Sequence, residues 1–569
     1  MGVGSIPHNA PAMDSFMDKS ILFLIALFLS PCLLVAQNES EEKPSEQSST
    51  GSQFANADKN GDGKLGPDEI ENEAAFQRMD ADSDGFVTPK EALAHIKRRR
   101  AREANEPVFP ASPESEAAKR KLLSTITSVV SGDKRPPNIV LLFSDDLGYG
   151  DLSLHGSKRI PTPHIDALGK QGVRFSSAYA TAASCSPSRA GLLSGRYQQR
   201  FGFEFNASGG AITHRLHRGL DPSVITMADV LKQAGYVTGM FGKWHLGTQP
   251  QFHPQARGFD EFYGFLAGAH SSFPAKAPQP FHSTIMRDKS PLIEPDYLTD
   301  AIARETVKFI GANQDRPFFA YVPFNAVHTP IEATEKYQGR FPNETDPTKR
   351  DYYAMTSALD DAVGSIVAAI DKRGLSENTL VIFVNDNGGS VYTGVQSNGP
   401  LKLGKLFLFE GGIRVPMVIK LPGESEPGKV YDQPVSTLDL FPTICAAAGI
   451  KVPAGIHLDG VDLTPFIQGH SLKKATAAPH ETLFWSNGPN IAVRQGNWKL
   501  VKSYDNTWLF DLARDIGESE NLADSKPGIV VHLERAYREW RSGMSEPAWP
   551  SKPNRRKVEV DGLVYEMNI

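Results

Sequence analysis

NIVLLFSDD, residues 138–146, sets a five-residue apolar run one serine away from a pair of aspartates. A run of that length, rich in Ile, Val, Leu and Phe and closed at once by polar residues, reads as a buried strand ending in a polar turn. Downstream, TPHIDALGKQG (162–172) has the apolar spacing of a helix, and ITMADVLKQAG (225–235) before YVTGMFG (236–242) repeats the order of helix then strand. Such alternation argues an α/β domain around a largely parallel or mixed central sheet. Beyond about residue 470 the pattern changes. IAVRQGNWKLVKS (491–503) and TWLFDL (507–512) read as antiparallel strands joined by a turn, and IVVHLERAYREWRSGM (529–544) as a helix, which fits a smaller α+β subdomain.

Upstream, residues 21–36 form one apolar run after Lys19 and give way to the polar QNESEEKPSEQSSTGSQ. That pattern is a cleaved signal peptide, or else an uncleaved N-terminal anchor, and either one exports the chain. Met17 is an alternative start. Cys32 invites a lipoprotein reading, which Pro31 opposes. With three cysteines in 569 residues there is no disulfide framework, so an exported protein of this kind suits a bacterial periplasm or cell exterior. A net charge of -6 with interspersed signs offers no broad basic face to nucleic acid, and no stable membrane span is expected.

DKNGDGKLGPDE (58–69) and DADSDGFVTPKE (80–91) both match the twelve-residue EF-hand loop. Asp58, Asn60, Asp62 and Glu69 in the first, and Asp80, Asp82, Asp84 and Glu91 in the second, supply oxygens for a hard cation. Lys64 and Phe86 occupy position seven, where the main-chain carbonyl is the ligand. Gly63 and Gly85 allow the sharp turn, and Phe54 and Phe76 sit on the entering helices. Up to two calcium ions are expected here. The pair reads as a structural clamp or, alternatively, a sensor. The helix-prone EALAHIKRRRAREANE (91–106) closes the module, its basic run reading as a solvated helix end, and a Pro/Ser/Glu-rich stretch after it reads as linker. The expected organisation is signal peptide 1–36, disordered linker 37–53, EF-hand pair 54–98, linker 99–135, catalytic domain 136–470 and C-terminal subdomain 471–569.

Four polar clusters follow apolar runs: Asp145 and Asp146 after NIVLLF, Lys243 and His245 after VTGMF, His328 after FFAYVPF, and Asp386 and Asn387 after TLVIFV. Open α/β sheets place ligand sites beyond the carboxyl ends of their strands, so these clusters should converge. The acidic ones suit a hard divalent cation, while Lys and His supply positive charge and proton transfer. SCSPSRAGLLSGR (184–196) adds Cys185 at a helix start, with Pro187 expected at the first helical position and Arg189 one turn on. Physics alone leaves Cys185 as an inert buried cysteine or a thiolate nucleophile.

CSPSR followed by AGLLSGR resembles the hallmark of the type I sulfatases, C-x-P-x-R, a small-residue run and G-R. SDDLGYGD, PTPHIDALGKQGVRF, AGYVTGMFGKWHLG, HTP, NDNGG, PLKLGKLFLFEGGIRVP and VRQGNWKLV follow the family's order from about Pro136 onward. The resemblance implies an alkaline-phosphatase-like mixed sheet sandwiched by helices, the smaller C-terminal α+β subdomain, and sulfate-ester hydrolysis. It further implies that Cys185 is oxidised to formylglycine by a formylglycine-generating or anaerobic sulfatase-maturing enzyme. Asp145, Asp146, Asp386 and Asn387 would hold one calcium, with an oxygen of modified Cys185 completing the shell. Arg189, Lys243, His245, His328 and Lys405 would surround the sulfate. Lys402 and Leu403 stand where the family has Arg and Gly, which leaves Lys405 in register and the loop shape open; Asn385 replaces a usual Ser or Thr. SGRYQQRFGFEFNASGG (194–210) is similar to bacterial sulfatases of carbohydrate or aryl sulfates, so a sulfated carbohydrate or small molecule is the expected substrate. The same fold also hosts phosphate and phosphonate ester hydrolases, and an unmodified Cys185 would leave a silent calcium-dependent carbohydrate-binding protein.

Overall fold

In the computed structural model the run at 138 is strand β1 (Asn138–Ser144), with all seven residues buried. The structure describes residues 112–130, 135–207, 218–275, 284–423, 428–468, 478–549 and 557–567, and in the N-terminal region residues 54, 57–67, 69, 79–82 and 84–95. The expected signal peptide, Phe76 and all of the basic run after His95 lie outside the described residues.

Chain order then gives β2 (Val173–Phe175), β3 (Ala178–Tyr179), β4 (Val237–Lys243), β5 (Glu261–Phe265), β6 (Ile285–Arg287), β7 (Ser290–Leu292), β8 (Phe318–Pro323), β9 (Thr379–Asn385), β10 (Met417–Lys420), β11 (Lys429–Tyr431) and β12 (Val435–Ser436). Ten of these form one sheet in the order β11-β2-β10-β9-β1-β8-β4-β5-β6-β7, and β12 pairs with β3. Strands β9, β1, β8, β4 and β5 run parallel, so their carboxyl ends share one edge; β10 and β6 pair antiparallel to their neighbours and make the sheet mixed. Alternation along β1 divides the core. Ile139, Leu141 and Phe143 enter one apolar cluster with Ala190, Leu192 and Leu193, while Val140 and Leu142 enter the other with Ile165, Leu168 and the long helix Pro347–Lys372. Burial on both faces explains why these strands read as continuous apolar runs. The short strands β2, β3, β11 and β12 were not legible in the sequence, being only two or three residues long.

The C-terminal region is a four-stranded antiparallel sheet, β13 (Thr482–Asn487), β14 (Asn490–Gln495), β15 (Trp498–Ser503) and β16 (Asn506–Asp511), with the helix Pro527–Ser542 packed on β14. The stretch 491–503, expected as one strand, is β14 and β15 with a turn at Gly496; 507–512 falls on β16 and the helix is present, while β13 and the terminal hairpin β17 (Lys557–Val560) and β18 (Leu563–Glu566) were not expected. Leu483, Trp485, Trp508 and Phe510 pack under Leu406, Phe407, Leu408 and Phe409, so this sheet is the platform for the segment that carries Lys405.

One correction concerns residues 99–135, expected to be linker. Pro113–Leu123 is a helix, because the Pro/Ser/Glu composition is a start signal: Ser112 caps it, Pro113 takes its first turn with Glu114 and Glu116, and Arg120 and Lys121 close it. Lys119 docks it, its Nζ lying 2.7 Å from the Asp229 carboxylate and 3.2 Å from the Pro222 carbonyl. Lys119→Ala should destabilise the fold by about 2–4 kcal/mol, read as a lowered urea midpoint, since it strands a mostly buried carboxylate. An unchanged midpoint would mean that the helix is not held by this pair.

The N-terminal module forms its own compact unit with a core of Phe54, Leu65, Met79, Val87 and Ala92. Its two loops pair through Leu65 and Val87, whose amides and carbonyls exchange hydrogen bonds of 2.9 Å. In the first loop the Asp58 carboxylate accepts from the amides of Gly61 and Gly63 at 2.7 and 2.8 Å, and the Glu69 carboxylate folds back to the amides of Lys59 and Asn60. The amides of Thr88 and Ala81 likewise hold Glu91 down at about 2. Asp80, Asp82 and Glu91 come within reach of a single ion. Among the described residues no helix is long and apolar enough to cross a membrane.

Candidate active site

The parallel strands deliver the four polar clusters to one place, as their common direction requires. Asp145 and Asp146 follow β1, Lys243 ends β4, His328 lies five residues past β8, and Asp386 and Asn387 follow β9. Lys243 Nζ donates to Asp145 Oδ2 at 2.7 Å and Lys405 Nζ to Asp146 Oδ2 at 2.7 Å. Asn387 Nδ2 donates to Asp146 Oδ1 at 2.8 Å, and His328 Nε2 lies 3.6 Å from Asp146 Oδ2. Asp146, His245, Leu403 and Leu406 all have positive φ, a concentration of left-handed backbone in non-glycine residues that the packing around the site must hold in place.

Cys185 is the first residue of the helix Cys185–Ser194, which is buried throughout and stops at Gly195. Its Sγ lies 3.7 Å from Asp146 Oδ1 and is 1% exposed. The helix begins two residues earlier than expected, so Pro187 occupies its third position; a proline is tolerated anywhere in a first turn whose amides have no helical acceptor. Burial pushes the thiol well above its ordinary range despite Lys243 and Lys405, which argues against the thiolate reading. Arg189, one turn on, is fully buried: Nη1 donates to the Lys243 carbonyl at 2.9 Å, and Nη2 meets Asp386 Oδ2 at 2.9 Å and Asp145 at 3.5 Å. Those two nitrogens are thus engaged with carboxylates and backbone.

Ser186 ties this helix to the next cluster, its Oγ donating to the His245 carbonyl at 2.6 Å. Gly268 lies against the imidazole of His245, where an added Cβ would sit 2.5 Å from Nε2. At Lys402 and Leu403 the structure resolves the loop shape. Lys402 turns away to the Glu518 carbonyl and Asp561, and Leu403 adopts the left-handed φ of 59° that a glycine would take freely, at a cost of about 1 kcal/mol. Asn385 is structural: it accepts from Ser144 Oγ at 2.9 Å and donates to the Leu147 carbonyl at 2.9 Å, joining the ends of β9 and β1. Ser390, which sequence reasoning missed, donates from Oγ to Asp146 Oδ2 at 2.9 Å; only its position three residues past Asn387 hinted at this.

The acidic groups fit a hard divalent cation. Asp145 Oδ1, paired only at 3.5 Å with Arg189, and Asn387 Oδ1 are buried and accept no hydrogen bond, so two oxygens remain for a cation. Asp145, Asp146, Cys185 and His328 could share one ion. Burial, and next the charge of Asp145, raises Asp386, while Asp145 itself, buried as it is, is held low by Lys243, His328, Arg189 and Lys405. An added dication would relieve the repulsion between these acids, and every ligand offered around it except the thiol and the imidazole is an oxygen, as calcium prefers.

A cation-ready acidic cluster, buried lysines and two histidines at the carboxyl edge of a mixed sheet define a hydrolase for an anionic ester. The Sulfatase family profile matches residues 137–450, the profile of the C-terminal region of N-sulphoglucosamine sulphohydrolase matches 402–539, and EF-hand profiles match 52–72 and 73–91. N-acetylgalactosamine-6-sulfatase of Rattus norvegicus is 32% identical over 74% of this chain and 81% of its own, and arylsulfatase A of Homo sapiens 32% identical over 71% and 87%. Among solved structures, Ps i-CgsB superposes with a TM-score of 0.68 at 36% identity, covering 73% of this chain and 95% of the other; it has also been crystallised with a neocarrahexaose. The chain belongs to the sulfatase family, with the alkaline-phosphatase-like fold and EF-hands expected of it, and is a sulfuric ester hydrolase.

Proposed function

We propose that this is an exported bacterial enzyme, periplasmic or extracellular, that removes sulfate from a sulfated carbohydrate and also accepts aryl sulfates. Its nucleophile is a formylglycine made from Cys185, acting beside a calcium held by Asp145, Asp146, Asp386 and Asn387. The observation that carries this reading is the placement of one buried thiol 3.7 Å from Asp146, in the cluster where Lys243 and Lys405 hold the Asp145 and Asp146 carboxylates. As a thiol it is a poor nucleophile there. Its burial in the folded chain also keeps it from any modifying enzyme, so conversion by a maturation enzyme belongs before folding. Hydrated, the aldehyde supplies a geminal diol: one oxygen bonds to sulfur as the ester S–O bond breaks, and loss of the proton from the other expels sulfate and restores the aldehyde. Calcium, when bound, supplies positive charge that favours this ionised oxygen and offsets charge on the sulfonyl group.

The chain's own residues do the rest. Three carboxylates, Asp145, Asp146 and Asp386, face three permanent cations, Arg189, Lys243 and Lys405, so the site admits a dication and a dianionic sulfate together without net charge. Lys243 and Lys405 clamp the sulfonyl oxygens. His328 donates Nδ1–H to the Thr329 carbonyl at 2.6 Å, which leaves Nε2 toward the cluster. Burial, then Lys405 and Lys243, hold this imidazole down at about 4 in the free site; the ester's negative charge opposes the two lysines and lets Nε2 carry the proton that the departing alcohol needs. His245 takes the proton from the second hydroxyl. The C-terminal subdomain, proposed as 471–569, holds the Lys405 loop in reach, and the EF-hand pair at 54–98 acts as a calcium-stiffened clamp.

Release of inorganic sulfate from 4-methylumbelliferyl sulfate and from a panel of sulfated oligosaccharides tests this, with the phosphate monoester as control. Sulfate release exceeding phosphate release by at least about tenfold is expected. Preferred cleavage of the phosphate would overturn it.

A further inference from the structure

Among the described aromatics at the catalytic cluster Tyr392 stands out, because its side chain is half exposed while Ser390, Asp146 and Lys405 of the cluster are buried. It is 50% accessible on the short turn Val391–Thr393, directly after NDNGGS. Its hydroxyl lies 3.2 Å from Ser390 Oγ, which in turn donates to Asp146 Oδ2 at 2.9 Å, the same oxygen that accepts from Lys405 Nζ at 2.7 Å. The turn itself is pinned. Thr393 Oγ1 donates to the Ser390 carbonyl at 2.7 Å, the Ser390 amide to Gln396 Oε1, and Gly394 closes the turn with a left-handed φ of 73°.

An exposed aromatic ring on a fixed turn, anchored by its hydroxyl next to the anion-binding lysine, is preorganised to cover something flat that arrives with the sulfate. A pyranose fits: its C–H face packs on a ring, and its hydroxyls remain free for solvent. Resting on the sulfatase reading above, we propose that Tyr392 is the specificity-determining residue for a sulfated sugar, its ring forming one wall of the subsite for the monosaccharide that bears the ester. The hydroxyl only aims the ring. Binding energy collected there favours saccharide esters over esters that lack a sugar face.

Tyr392→Phe keeps the ring and loses the tether, whereas Tyr392→Ala loses both. The probes are whichever sulfated oligosaccharide of the panel the wild type desulfates fastest, and inorganic sulfate as a competitive inhibitor with no ring to cover. Expected are a fall of about tenfold or more in kcat/KM on the oligosaccharide for Tyr392→Ala, mainly through KM, and about threefold or less for Tyr392→Phe. Inhibition by sulfate should be unchanged in both. Equal loss of kcat in both variants together with weakened sulfate inhibition would overturn the inference, because the hydroxyl would then be holding Ser390 and Asp146. Full activity of Tyr392→Ala on the oligosaccharide would overturn it too, as would a wild type that cleaves aryl sulfates but no saccharide. A wild type that releases sulfate from neither class contradicts the sulfatase reading itself.

Discussion

Cys185→Ser is expected to abolish turnover, by on the order of 10⁴-fold or more, while leaving the fold and the affinity for inorganic sulfate nearly intact. Serine fits the space: the residue begins a helix, is buried, and has no partner closer than Asp146 at 3.7 Å. What is lost is the second oxygen on one carbon. A serine hydroxyl can attack sulfur once, but nothing then drives sulfate off, so the variant should retain sulfate covalently when given substrate. Mass spectrometry of the peptide containing residue 185 reads both states. Wild-type material should be lighter than the cysteine form by about 18 Da, the exchange of a thiol and a hydrogen for a carbonyl oxygen. The serine variant should gain about 80 Da on exposure to substrate. A wild type with an intact thiol and undiminished turnover would sink the formylglycine mechanism.

How much of this was legible follows from the physics of each element. Strands buried on both faces announce themselves as apolar runs, so β1, β4, β8 and β9 and the polar residues beyond them could be read directly, and their parallel course brought Asp145, Lys243, His328 and Asp386 together. Strands of two or three residues carry too little pattern, and the capped helix at 113–123 was hidden because cap residues and linker residues are the same types. Cys185, Lys405 and Asn387 were recognisable by motif, but Ser390 and Tyr392 were not: a serine and a tyrosine in a turn say nothing until the fold sets them 3.2 Å apart beside Asp146. Nor does a sequence show that the guanidinium of Arg189 turns to Asp386 and Asp145, a choice fixed by its burial at the carboxyl edge of the sheet.

Asp146→Asn should have the other large effect, and on two readouts. Asparagine tolerates the positive φ of residue 146 and keeps its shape, so the change isolates charge. Both carboxylate oxygens are in use: Oδ2 accepts from Lys405 Nζ and Ser390 Oγ, Oδ1 from Asn387 Nδ2. Removing the charge leaves Lys405 buried with its principal counter-ion gone, at about 3–5 kcal/mol. The counter-ion is also what raises Lys405 well above its ordinary range, so the amine that clamps sulfate is weakened together with the cation cage. Activity should fall on the order of 10³-fold or more. The decisive readout is thermal. In a Glu69→Gln, Glu91→Gln background, which silences the EF-hand loops, calcium at about a hundred times its Kd should stabilise the chain by about 2.7 kcal/mol through the catalytic site alone, and chelator should remove the gain. Asp146→Asn in that background should show little or no calcium-dependent shift in Tm. A shift as large as that of its parent would mean that Asp146 neutralises Lys405 without holding the ion, and the cage would have to be built from Asp145, Asp386 and Asn387 only.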